Sequence, residues 1–172
     1  DYGEALDNYL EAYKIALRSL DAKYEMIVLN NIAILYSKER SFDKAEEYFN
    51  KAYNIAVENK DSLKMGLYAI NLATVSNEKK EISKAESFLN TAFYCLRNSP
   101  DNLHIAKVIK AQNKLLKNEL TEAKEIAESI LPHLNSPNFS EYRISTFMIL
   151  ASIYEKENQI DIGETIMSVK NN

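Results

Sequence analysis

Glycine and proline each occur only three times in 172 residues, where average usage would supply about twelve and about nine. Tight-turned sheets draw on both, glycine for positive φ and proline for punctuation. Their scarcity argues against a turn-rich β fold and predicts helices joined by short connections. The single cysteine, Cys95, excludes an internal disulfide and reads as a small apolar helix residue within "TAFYCL". A lone cysteine is compatible with a reducing cytoplasm, the slightly favoured compartment, and with the periplasm, and so leaves the compartment open. Histidine is equally sparse, His104 and His133 alone. No metal-ligand spacing, phosphate-cradling glycine loop or nucleophile motif accompanies them. Asp101 and His104, three apart beside a helix start, read as a capping pair, and every carboxylate fits a surface helix position. The segment is therefore expected to be non-catalytic and to need no cofactor or metal.

Charge of one sign is also not concentrated anywhere. Lys and Arg number 21 against 25 Asp and Glu, interspersed, for a net charge of −4. Displacing counterions from phosphates needs clustered cations, so direct nucleic-acid binding is not expected. No apolar run approaches the roughly eighteen residues of a membrane span, and the first residues do not read as a signal. Membrane insertion is not expected.

What is present is a repeat. "ALDNYLEA" begins at Ala5, "AEEYFNKA" at Ala45 and "AESFLNTA" at Ala85, forty residues apart. Each places a large residue four after the first alanine (Tyr9, Phe49, Leu89) and a second alanine three further on (Ala12, Ala52, Ala92). Positions i, i+4 and i+7 share one helix face. A weaker copy, "AKEIAESI", starts at Ala123, and another is suggested at Gly163. Upstream of these lies a second stripe: Leu29, Ile32, Ala33 and Tyr36; then Ala69, Leu72, Ala73 and Ser76; then Phe147, Leu150, Ala151 and Tyr154. The polar turns "SKERS", "NEKKE" and "KENQ" separate the two patterns, each followed by an apolar residue (Phe42, Ile82, Ile160). The pattern predicts nine helices, near 3–19, 23–38, 42–58, 63–79, 82–97, 101–117, 121–134, 139–157 and 160–170. Ser99 before Pro100 suits an N-cap and first turn, and Pro132 a helix end.

The alanines have a packing reason. Two antiparallel helices approach closest where small side chains meet, so Ala33 should face Ala45, and Ala52 should let the next pair stack. Large–x–x–large–small–x–x–Tyr, followed by small, aromatic and small residues, resembles the tetratricopeptide repeat. Residues 29–52 match it almost fully, 69–92 match with Ser76 in place of Tyr, and 107–130 depart most. There Lys107, Lys110 and Lys114 stand where apolar residues are usual, which predicts a shifted or partly opened repeat. The resemblance implies an all-α, right-handed α-solenoid of antiparallel helix pairs. It would be one array: a half repeat at 1–22, then 23–60, 61–98, 99–136 and 137–172, cut from a longer protein. The period near forty is similar to the extended-repeat branch of the family.

First helices would line the concave surface of such a superhelix. Asn31 and Asn71, two residues before Ala33 and Ala73, would point into it, where an amide can match the C=O and N–H of an extended peptide. The alternative is that they bond to a neighbouring helix and tie repeats together. Further along, Ile105, Val108, Ile109, Met148 and Ile149 read either as an apolar groove or as packing against a neighbour. The candidate partner-binding residues are Asn30, Asn31, Ile34, Asn71, Thr74, Ile105, Val108, Gln112 and Met148. Asn30 and Ile70 stand where a lysine clamp for acidic C-termini would need Lys, which disfavours a chaperone tail. The resemblance extends to input regions of bacterial regulators and sensor kinases, and implies a protein or peptide partner on the concave face. A passive scaffold is the rival, with homodimerisation through terminal faces such as that beside Tyr9 and Leu10.

Overall fold

In the computed structural model, residues 3–18 and 21–158 are described with their side chains, and Tyr2, Ser19 and 159–170 as helical backbone alone. The protein forms two compact units, Asp1–Ala106 and Lys107–Asn172.

The first unit begins with α1 (Tyr2–Ser19) and continues with α2 (Ala22–Lys38), α3 (Phe42–Glu58), α4 (Ser62–Glu78) and α5 (Ile82–Cys95). From α2 onward the helices start at 22, 42, 62 and 82, so two helices and two connections make the forty-residue period. The connections are three residues long and share one hydrogen-bond pattern. Ser41 N–H donates to Tyr36 O at 2.8 Å and Arg40 N–H to Ser37 O at 3.0 Å. Asp61 and Lys60 repeat this on Ala56 and Val57, and Glu81 and Lys80 on Ser76 and Asn77. These are Schellman caps, which satisfy the last helical carbonyls by placing one residue in the left-handed region. That residue is Arg40 (φ 59°), Lys60 (φ 55°) or Lys80 (φ 60°), where a glycine would sit without strain. Few glycines thus did not mean few positive-φ residues. Helix starts are secured unevenly: the Asp21 carboxylate accepts from Lys23 and Tyr24 N–H at 3.0 and 3.1 Å, and Asp61 from Lys64 N–H at 3.0 Å.

The small residues meet as their spacing requires. Ala33 and Ala45 are fully buried in one cluster with Phe49, Leu72 and Val75. Ala52 and Ala56 are fully buried against Met26 and Leu29 of α2 and Tyr68 of α4, so the same face of α3 closes its own hairpin and receives the next. Burying each Leu, Ile or Phe here contributes about 1.5–3 kcal/mol. Gly66 marks a close approach: a Cβ there would lie 2.5 Å from Leu96 Cγ and 3.0 Å from Cys95 Cβ.

An ion network crosses the same helices. Lys79 Nζ lies 2.8 Å from Asp43, 2.7 Å from Glu46 and 3.1 Å from Glu81. Lys84 pairs with Glu46 and, at 2.9 Å, with Glu81. Burial pushes the Glu46 carboxyl up, but the Lys79 and Lys84 ammoniums outweigh it and hold it below its ordinary value. Lys84 and Lys79 likewise lower Glu81, and Lys79 lowers Asp43. Glu46 is only 14% exposed, which the reading of every carboxylate as a surface residue missed.

Helix α6 (Pro100–Leu116) begins behind Ser99 as its sequence predicts, with Pro100 as its first residue. The boundary between the units falls within it. The second unit continues through another Schellman cap at Asn118 (φ 62°) into α7 (Leu120–Ile130). Pro132 ends α7 by starting a 3-10 turn at Leu131–His133. A second 3-10 turn, Pro137–Phe139, leads into α8 (Ser140–Lys170). The lysine-rich repeat is neither shifted nor opened: Ala111 and Ala123 are both fully buried in one cluster with Val108, Ala127, Ile130 and Ile153. Lys114 reaches out to Glu119 at 2.6 Å and Glu122 at 2.5 Å, and Lys114 and Lys117 draw the Glu119 pKa down to about 2.

Two expectations for the last helices are corrected. Instead of separate helices at 139–157 and 160–170, α8 runs unbroken from Ser140 to Lys170. No proline or glycine lies between 138 and 162 to stop it. Three of the four residues of the stripe expected to be covered lie open: Phe147 is 53% and Tyr154 46% exposed, and Ala151 is exposed too, whereas Leu150 is buried in the second core. The side chains of Ile160 and Gly163 lie outside the described residues.

Three measurements follow. Lys60→Gly removes left-handed strain at an exposed site and is expected to raise stability by about 1 kcal/mol, read from the urea midpoint; an unchanged midpoint would mean that the turn carries no strain. Gly66→Ala is expected to cost about 1–3 kcal/mol through overpacking against Leu96, and to cost less when measured in a Leu96→Ala background. The third concerns pH. Glu46, Glu81 and Asp43 have lowered pKa values in the folded protein, so their contribution is present above the unperturbed 4.5 and 3.8 and is lost as pH falls through the lowered values. Denaturation midpoints should drop below about pH 4.5, and less steeply for Glu46→Gln. Equal slopes would remove the network from the stability of the fold.

Candidate partner-binding surface

Five of the candidate residues of the first unit come from α2 and α4, the first helices of successive repeats. Asn71 Nδ2 donates to Asn30 Oδ1 at 2.9 Å, and both side chains are half-buried. The pairing is diagonal, since the repeat equivalent of Asn71 is Asn31 and not Asn30. Helices packed side by side present opposite flanks to one another, and one residue of offset is a rotation of about 100°. Asn30 therefore holds the flank of α2 towards α4, and Asn31, half-buried, lies around the helix from it. Asn71 thus bonds to a neighbouring helix, and its partner there is Asn30.

The amides retain capacity after this bond. A primary amide offers two donors and an acceptor with two lone pairs. The bond to Asn30 uses one N–H of Asn71 and one lone pair of Asn30. Thr74, one turn further along α4, has committed its O–H to Ile70 O at 2.9 Å and keeps an acceptor. Ile34 is half-buried against the Ala33–Ala45 cluster. None of Asn30, Asn31, Ile34, Asn71 or Thr74 is charged, so the chemistry of this face is amide and hydroxyl hydrogen bonding beside apolar surface, independent of pH near neutrality.

The remaining candidates are scattered. Ile105 is half-buried in the first unit. Val108 is 1% exposed inside the second core, so it packs and is withdrawn as a contact residue. Lysine at 107 and 110 hid this, because it suggested a helix face with no apolar interior side. Gln112 is half-buried. Met148 is 65% exposed, whereas Ile109 and Ile149, each 6% exposed, belong to cores. Sequence reasoning passed over a groove within the second unit, lined by Leu131, Pro132, Asn135, Arg143, Ile144, Phe147 and Glu128. Its signal was the apolar pair Ile144 and Phe147 one turn apart on α8. Among the described residues no group of His, Cys, Asp and Glu is placed to hold a metal ion, and no helix is long and apolar enough to cross a membrane.

Comparison with known proteins agrees with the helix pairs. The solved structure of BtubC (BKLC) from P. vanneervenii superposes with a TM-score of 0.71, covering all of this chain and 75% of that one at 19% identity. At that identity the likeness speaks for the α-solenoid fold alone. No curated protein matches the sequence. The tetratricopeptide-repeat family model matches residues 1–58 and 24–98, more than half the sequence and the region of the regular twenty-residue spacing. The chain belongs to the tetratricopeptide-repeat family.

Proposed function

We propose that this protein is a non-catalytic protein-interaction module whose α2–α4 face holds an extended segment of a partner protein. The family supports the general class: its repeats are protein-interaction units. The observation that carries the specific reading is the Asn30–Asn71 pair. Two half-buried amides from successive repeats stand within bonding distance with donors and acceptors left over, and Asn31, Ile34 and Thr74 flank them. The backbone carbonyl and N–H groups of an extended peptide fit such amides, and the apolar flank receives the peptide's side groups. Ile105, Gln112 and Met148 remain secondary candidates. In a larger bacterial regulator, such an array would pass partner binding to an output domain by shifting between two superhelical pitches.

The passive scaffold has its own support, because the Asn71–Asn30 bond itself ties α2 to α4. In that reading the protein self-associates through terminal faces, where Ile15 and Leu17 of α1 are 53% and 48% exposed. The two are separated by selecting displayed random peptides on the wild-type protein, then measuring the selected peptides on Asn31→Ala/Asn71→Ala. Circular dichroism and the urea midpoint report whether the variant stays folded. Loss of one or two amide hydrogen bonds to a peptide is expected to weaken binding about ten- to hundredfold. Equal affinities, or no peptide selected, would leave the asparagines as ties between repeats.

A further inference from the structure

We infer that the groove of the second unit is a docking site for an amphipathic helix of another protein, one with an apolar ridge, a carboxylate at the end that meets Arg143 and a basic side chain at the end that meets Glu128. The inference concerns the second unit alone and does not rest on the asparagine face.

The groove opens because α7 stops early. Pro132 ends α7 after eleven residues, against seventeen in α3 and fourteen in α5. A 3-10 turn therefore borders α8 where a longer helix would have lain. Leu131 and Pro132 form one wall of the groove, Ile144 and Phe147 the other. The cavity between them is about 610 Å³, room for several side chains of a partner. It is open along its length: Ile144 is 59% and Phe147 53% exposed, and Tyr154, 46% exposed, continues the stripe along α8. A small molecule would be left largely in water there, whereas a continuous segment can lie along it.

Charge selects the segment. No hydrogen bond or ion pair engages Arg143 among the described residues. The Glu128 carboxylate receives the Tyr154 hydroxyl at 3.3 Å, and its neighbour Lys124 is committed to Glu157 at 3.1 Å. These two contacts also show that α7 and α8 run antiparallel, which puts Glu128 beside Tyr154. Arg143 stands eleven residues before Tyr154, about 16 Å along α8. The groove thus has a cationic end and an anionic end, each lacking a countercharge, with apolar surface between.

Backbone chemistry selects a helix. Between the charges the walls are apolar, and the amide of Asn135 already donates to Pro132 O at 2.9 Å. An extended segment pressed into the groove would leave its own N–H and C=O groups unmatched. A helix satisfies those groups internally and presents apolar side chains at i, i+4 and i+7. Three turns of it span about 16 Å, the separation of the two charges.

The test uses a displayed library of helical peptides, apolar at i, i+4 and i+7 and randomised on the flanks, selected on the full-length protein. Selected peptides are expected to carry an acidic residue at one end and a basic one about three turns away. Arg143→Glu is expected to weaken them at least about tenfold, and changing the peptide's acidic residue to lysine to restore binding to that variant. Phe147→Ala is expected to weaken them about tenfold. Both residues are exposed, so both variants keep the fold, which circular dichroism checks. The proposal is overturned if no helix is selected, or if the selected peptides bind Arg143→Glu as well as wild type. It is also overturned if binding is lost in Asn31→Ala/Asn71→Ala instead, or if proline-containing extended sequences outcompete the helices. Dimerisation in sedimentation that Phe147→Ala abolishes would overturn it too, because a second copy would then be the occupant.

Discussion

Contact between small side chains at a fixed spacing is the constraint on which the rest of this structure depends. Ala33 and Ala45 share one core cluster, Ala111 and Ala123 another, and Ala73 and Ala85 are likewise wholly buried; such small residues let each pair of helices approach until larger neighbours interlock. A leucine at any of them would hold the axes apart and lift Phe49 or Leu89 out of its place. The twelve-residue separation then leaves room for one turn geometry, a three-residue Schellman connection. That is why Arg40, Lys80 and Asn118 accept a left-handed backbone without glycine. Where the partner of the small residue is not laid against it, at Ala151, Phe147 and Tyr154 stand in water.

Successive repeats of the first unit are joined in three chemically distinct ways. The apolar tie is the α3 face of Ala52 and Ala56, which meets Tyr68 of α4. The charged tie is Lys79 and Lys84 with Asp43, Glu46 and Glu81. The neutral tie is the Asn71–Asn30 bond. Apolar burial supplies most of the free energy, since exposed ion pairs contribute only about 0–1 kcal/mol each. The polar ties add direction, because an amide pair or a multiply bonded ammonium tolerates little change of angle between helices. A stack of repeats has few contacts distant in sequence, so local ties of this kind set its geometry.

Helices and pairing were legible because both are periodic. The alanine spacing located the hairpins, Pro100 and Pro132 marked a start and an end, and the limits of α1 to α7 fell within a few residues of those expected. Lys107 and Lys110 misled the reading of α6, because a pattern scored on residue type ignores that Val108 and Ala111 alone can form the inward face. The asparagine contact was half legible: a bond from Asn71 to a neighbouring helix was one of the two readings, but nothing in the spacing named Asn30 as its partner. Which flank of a helix meets its neighbour depends on the packing angle, and no spacing along one helix contains that angle.

The sequence by itself determined the all-α class, the forty-residue repeat and the family, because a 3.6-residue period and a small residue every repeat are properties of the sequence alone. Tertiary structure decided what spacing cannot carry: that Val108 is core, that Glu46 is enclosed by two lysines, that Asn71 bonds to Asn30, and that the face of α8 bearing Phe147 and Tyr154 lies open. Each of these depends on what approaches a side chain from another helix, and that approach exists only once the helices have packed.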